Sequence, residues 1–276
     1  MRSPAMNYNL FKMELYRYKN SMLIWLILIC GLIILDMALY EIFLKEGMLK
    51  NLEPLLNQPF LAPMMKGFGM EIEKLSNILG FYVIRNTPLI LLLTGMFSIL
   101  TAVSLFANEE FEKTAEFLYT RPMTRTEIFG AKVLACMTLI FIINSVAVLT
   151  GFVSLEIFKT EDYEKAPFFI HSIYGFLTSL TFASIGLVIS AVAKRGRGLF
   201  ALSVAIVMGT YFLDLISKVS ESTAYIGFIS PFHYVDNDIL VPDYTLNMLY
   251  TGTFVATILI LTLFSYLYFL KKDILN

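Results

Sequence analysis

The sequence predicts an all-α membrane protein of six transmembrane helices, and three observations carry that reading. Mean hydropathy is +0.71 while only 16% of residues are charged, a balance that leaves too little polar surface for a water-soluble domain. Six apolar runs, 22–43, 88–107, 133–155, 168–193, 199–216 and 249–270, each approach the roughly 20 residues that cross a hydrocarbon core. None alternates apolar and polar positions as a barrel strand does, so helices alone can satisfy the backbone in lipid. Residues 1–276 are expected to form a single membrane domain.

Before the first span, Tyr8, Phe11, Leu15, Tyr18 and Met22 recur at helical spacing while Lys12, Glu14, Arg17 and Lys19 occupy other faces. That pattern predicts an amphipathic interfacial helix over 6–20, either a membrane anchor or a contact for a cytoplasmic partner. Met1–Ala5, ahead of a second methionine at Met6, read equally as a native start or as a remnant of expression. The run 22–43 is too long for a signal-peptide core and no small-residue cleavage site follows it, so it reads as a retained helix. With six spans both termini share a side. Thirteen lysines and arginines fall on that side, including the tight Lys194-Arg195-Gly196-Arg197-Gly198 turn, and eight on the other, which places both termini in the cytoplasm of a cell (inner or plasma) membrane.

The polar segment 108–132 concentrates five glutamates and four basic residues. Glu109, Glu112 and Glu116 share one helical face and Phe111, Ala115 and Leu118 another, so the second span is expected to continue as an amphipathic cytoplasmic extension. Pro122 disfavours helix at Arg121 and should end it. Thr124 and Glu127 then have the spacing of a capping box that starts a new helix into the third span. The product is a helix, an elbow and a helix, with Arg121 and Arg125 at the bend. Read from the residues alone, this is either a recognition element or a charged hairpin on the membrane surface.

Glu109, Glu110, Lys113-Thr114, Glu116-Phe117-Leu118, Thr120, Pro122, Thr124-Arg125, Ile128 and Lys132 resemble the E-E-x-x-G-T-x-E-x-L-L-x-x-P-x-S-R-x-x-I-x-x-x-K pattern of ABC-2-type transporter permeases, the membrane subunits of ABC exporters. The six-span layout and Ser230-Pro231-Phe232 before the last span are similar to that family as well. The resemblance implies that this loop carries a coupling helix docking on an ATP-binding subunit, with Glu109, Glu110, Glu112, Thr114, Glu116, Arg121, Pro122, Thr124, Arg125 and Glu127 as the interface. It also implies a second permease chain, as a homo- or heterodimer, with the substrate path between the two. Lys113 replaces the family's common glycine, which makes this stretch a more continuous helix. The chain has no G-x-x-x-x-G-K-[ST] phosphate loop, so ATP and magnesium are expected in the partner and no cofactor in this chain. Membrane lipid is an expected contact and nucleic acid is not.

Other readings stay open. Asp36 and Asp214, near span ends, would suit an ion-coupled carrier, or are solvated or hydrogen-bonded end residues. Asn144 and Ser145, mid-span, either line a pathway or bond between helices. Glu109-Glu110 with His233 and Asn237 has partial spacing of a CAAX-type intramembrane protease, but Thr114 stands where an arginine is required. Cys30 and Cys136 fall inside spans, and His171 and His233 are far apart, so neither a disulfide framework nor a metal centre is expected. The long segments 45–87 and 217–247 are expected to carry surface elements on the outer side, the first a short helix at Phe60–Met70, the second broken at Pro231. Nothing in the sequence selects a cargo beyond a preference for amphipathic or hydrophobic molecules.

Overall fold

The computed structural model describes residues 8–45, 54, 58, 72–111, 123–192, 198–241 and 244–271, and all the long elements among them are helices. These are α1 (Tyr8–Ala38), α2 (Tyr40–Lys45), α3 (Ile72–Ser76), α4 (Ile78–Phe111), α5 (Arg125–Phe158), α6 (Lys165–Val192), α7 (Leu199–Ser217) and α8 (Met248–Lys271), with 3-10 segments at Glu221–Ile229 and Pro231–Tyr234 between α7 and α8. Six helices, α1 and α4 to α8, are long and apolar enough to cross a membrane. They run up and down, so one end of the bundle, here termed proximal, gathers the start of α1 and the end of α8, and the other is distal.

α4 and α6 form the central pair. α1 packs on α5, α8 on α6, and α7 on α4. The close approach of α4 and α6 depends on small residues. A Cβ added at Gly186 would lie 2.7 Å from the Ile99 carbonyl oxygen and 2.9 Å from the Ala102 Cβ. Lipid is as apolar as the side chains it would replace, so such backbone proximity, rather than hydrophobic burial, holds helices together here. The buried hydroxyls follow the same logic. Ser98, Thr181 and Ser203 donate to the carbonyls of Thr94, Leu177 and Leu199, one turn back in their own helices, which satisfies them without a partner helix.

Two sequence expectations need correction. The separate interfacial helix at 6–20 is instead, from Tyr8 on, the first turns of α1, continuous with the span. Its buried residues are Leu10, Glu14, Tyr18, Ile29, Ile33, Asp36 and Met37, and of the expected apolar face Tyr18 is buried, Phe11, Leu15 and Met22 pack against the core, and Tyr8 is exposed. Glu14 stands among the buried residues because a lysine neutralises it. The second span likewise starts earlier than residue 88: α4 runs from Ile78 straight through Pro88. Proline removes one backbone hydrogen bond, but two of the polar residues before it have partners elsewhere, Arg85 on Asp36 and Thr87 on His171, so the helix extends beyond the apolar run. The surface helix expected at Phe60–Met70 lies outside the described residues. Between α7 and α8 the break at Pro231 is present, separating two 3-10 segments, with the Ser230 hydroxyl accepting from the Phe232 N–H.

Candidate functional site

The proximal junction forms around the start of α5. Thr124 caps it: its side chain accepts from the Glu127 N–H at 3.2 Å while the Glu127 carboxylate accepts from the Thr124 N–H at 2.7 Å, the reciprocal box expected from T-x-x-E. One residue on, Arg125 Nη1 donates to the Leu270 carbonyl at 2.8 Å. A guanidinium on the last carbonyls of α8 satisfies acceptors that have no intrahelical partner and meets the negative end of that helix dipole. Thr126 and Tyr266 share a hydroxyl contact of 3.1 Å, and the Phe129 ring packs on Phe106, Phe269 and Tyr266 at centroid distances of 5.4, 5.5 and 5.3 Å.

One turn deeper, Lys132 Nζ lies 3.1 Å from Glu14 Oε1 and also donates to the Leu105 carbonyl, under the face of Phe106. Both ionic side chains are sealed, at 1% and 0% exposure. The first turns of α5 are thereby bonded to α1, α4 and α8 together. Sequence reasoning placed Lys132 in a polar cytoplasmic loop. The missed signal is its register: Ile128, Lys132, Ala135 and Leu139 recur at three and four residues on the buried face of α5.

Of the other residues singled out in the sequence, Glu109 and Glu110 occupy the last turn of α4, whereas Glu112, Thr114, Glu116, Arg121 and Pro122 lie outside the described residues. Asn144 and Ser145 diverge. Asn144 is buried, its amide donating to the Ile140 carbonyl and its oxygen accepting from Ser179 of α6, which is the interhelical bond; Ser145 is exposed on the outer surface of the helix. The residues of the protease-like spacing lie at opposite ends of the bundle, the helical turn of Glu109 and Glu110 at the proximal end and His233 at the distal end.

The distal end holds Asp36 and Asp214, and neither is a solvated end residue. Asp36 accepts from Arg85 Nη2 at 2.7 Å and Asp214 from Lys218 Nζ at 2.7 Å, both carboxylates being buried. His233 Nδ1 is 4.0 Å from the second Asp214 oxygen. Burial holds the His233 pKa below its ordinary value, Asp214 opposing and Lys218 reinforcing that shift. The ring is therefore neutral at neutral pH. His171 uses both nitrogens: Nδ1–H donates to the Asp236 carbonyl at 2.9 Å, which leaves Nε2 to accept from Thr87 at 3.2 Å. Among the described residues no group of three potential metal ligands gathers. Arg85, Asp214, Lys218, His233 and Asp236 line a cavity of about 1020 Å³.

Six apolar spans around a polar-loop junction define an integral membrane protein of helical-bundle type. The chain belongs to the ABC-2 family of transporter proteins, whose sequence model matches residues 8–274. No curated protein sequence matches the chain. Membership makes it an ABC transporter permease, a membrane transport component rather than a catalyst in its own right.

Proposed function

We propose that this chain is the permease subunit of an ATP-driven exporter of amphipathic or hydrophobic cargo. ATP and magnesium belong to a separate ATP-binding subunit, and a second permease chain, identical or homologous, completes the path. The observation that carries this reading is the family match across 8–274 on a chain with no phosphate loop. The excess of lysine and arginine on the proximal side supports a cytoplasmic placement of that end and of both termini. Segment 108–132 is then the coupling element, with Glu109, Glu110, Glu112, Thr114, Glu116, Arg121, Pro122, Thr124, Arg125 and Glu127 facing the ATPase.

The junction geometry supports a lever at this place. A push on the elbow reaches Thr124, and the turn it caps is bonded to α8 through Arg125 and to α1 and α4 through Lys132, so three helices are loaded at once. The test is to purify the chain with its ATPase and compare Glu116→Ala and Pro122→Ala with wild type. A charged group that loses a buried partner at an interface costs about 2 to 5 kcal/mol. Glu116→Ala is expected to lower complex yield, and Pro122→Ala to keep yield but lose cargo-stimulated hydrolysis. Wild-type yield and stimulation in both would make the segment a solvated hairpin.

A further inference from the structure

The distal cavity has a charge balance that points to its ligand. Three cations line it, and each already has a carboxylate: Lys74 with Asp238 at 3.1 Å, Arg85 with Asp36 at 2.7 Å, and Lys218 with Asp214 at 2.7 Å. His233 is neutral. Asp236 also lines the cavity and has no cationic partner among the described residues. Its Oδ1 accepts from the Asp238 N–H at 3.0 Å, and Oδ2 has no hydrogen-bond partner there. Counting Asp36, which pairs with Arg85 from behind the lining, this cluster has four carboxylates to three cations among the described residues, and Asp236 is the one left over.

That carboxylate is held in place by its own backbone. The Asp236 carbonyl accepts from His171 Nδ1 at 2.9 Å and from the Tyr244 hydroxyl at 3.1 Å, which pins the loop to α6. Facing the same cavity are the aromatic rings of Tyr211, Phe232 and Tyr250, with Tyr211 and Phe232 in a T-shaped contact at 5.5 Å. A cation over an aromatic face gains from the ring quadrupole, most strongly where water is excluded. A small inorganic dication needs six or more oxygen ligands, or several waters and carboxylates, and one carboxylate among rings does not supply them. A volume of about 1020 Å³ is at the upper end of small-molecule sites and admits a bulky organic body.

We propose that this cavity is a binding site for a monovalent organic cation with an apolar body, its charge balanced by Asp236 and its body resting on Tyr211, Phe232 and Tyr250. The same quaternary group is carried by free lipophilic cations and by choline lipid headgroups. The site stands apart from the exporter reading, because binding needs no ATPase.

The test uses the full chain in non-ionic maltoside micelles, with empty micelles subtracted, and two probes of one shape and opposite charge, tetraphenylphosphonium and tetraphenylborate. Saturable binding is expected for the cation alone. Asp236→Asn keeps the acceptor for Asp238 and both backbone bonds, and is expected to weaken binding at least about tenfold while Asp236→Glu keeps most of it. Tyr211→Leu is expected to weaken it about threefold or more. Added short-chain phosphatidylcholine that displaces the probe assigns the site to headgroups; retention of the probe assigns it to free cations. Equal binding of tetraphenylborate, unchanged binding in Asp236→Asn, or no saturable binding of the cation would overturn the proposal.

Discussion

At the proximal end of the bundle a lysine and a glutamate are sealed from solvent beneath a phenylalanine, while at the distal end Arg85 and Lys218 keep 45% and 32% of their side chains exposed beside buried aspartates. The chemistry of the pairs is the same and their surroundings are opposite. A sealed pair has no water to replace a lost partner, so it fixes the relative positions of α1, α4 and α5. An open pair keeps donors for water or a ligand and tolerates change. One end is therefore locked as a packed unit of three helices, while the other keeps its charge pairs at the wall of a cavity.

The largest expected effect tests the sealed pair. Lys132→Met leaves Glu14 buried with no counter-ion, a change that typically costs about 3 to 5 kcal/mol, whereas replacing both members with apolar residues of similar volume is often neutral. Lys132→Met alone is expected to lose that much stability in detergent unfolding, and Glu14→Leu combined with Lys132→Met to return within about 1 kcal/mol of wild type. If the single variant is as stable as the double, the contrast between the two ends does not hold.

The same pair shows what the sequence made legible. Hydropathy gave the six spans because length and apolarity are summed over about 20 residues and survive local error. T-x-x-E gave the α5 cap because a capping box is wholly local. Glu14 and Lys132 are 118 positions apart, and their pairing becomes visible only when α1 lies against α5. Read one at a time, a glutamate and a lysine near a membrane surface look solvated. Asp236 was hidden for a different reason: the proposed cation site rests on its having no cationic partner among the described residues, which is a property of the assembled cavity. Arg85 was assigned to a loop because the apolar run stops at Pro88, although a charge paired with Asp36 can extend a helix past the end of its hydrophobic stretch.

A middle-sized effect separates fold from coupling at Arg125. Its bonds to the α8 carbonyls are charge-assisted, and a hydrogen bond to a charged group contributes about 1.5 to 3 kcal/mol. Arg125→Ala is expected to destabilise the isolated permease by about that amount, whereas Arg125→Lys, which keeps the charge without the planar fork, should recover part of it. Hydrogen exchange at residues 266–271 is the sharper readout, since faster exchange there locates the loss at the end of α8. Unchanged exchange in Arg125→Ala would leave this residue only its proposed role at the ATPase and weaken the case for a preassembled junction.

The smallest effect belongs to the open end, and its sign follows from His233. Burial lowers the imidazole pKa in the fold below the ordinary value of 6.5, and the nearby Lys218 acts in the same direction, while Asp214 at 4.0 Å only partly offsets them. As pH falls below about 6.5 the unfolded chain takes up the proton first, so this residue's contribution is intact above that pH and is lost as pH falls through the lower folded value. The ring is 22% exposed, and solvent screening keeps the loss well below that at Arg125. Unfolding followed from about pH 7.5 to about pH 5 should be less pH-dependent in His233→Gln than in wild type, the difference opening only below about 6.5. Protonated His233 is also a donor aimed at the one Asp214 oxygen that has no hydrogen-bond partner. If closing that gap outweighs burial, wild type will instead gain stability on acidification relative to His233→Gln, and the distal end will prove to hold a latent pair of the kind found sealed at the other.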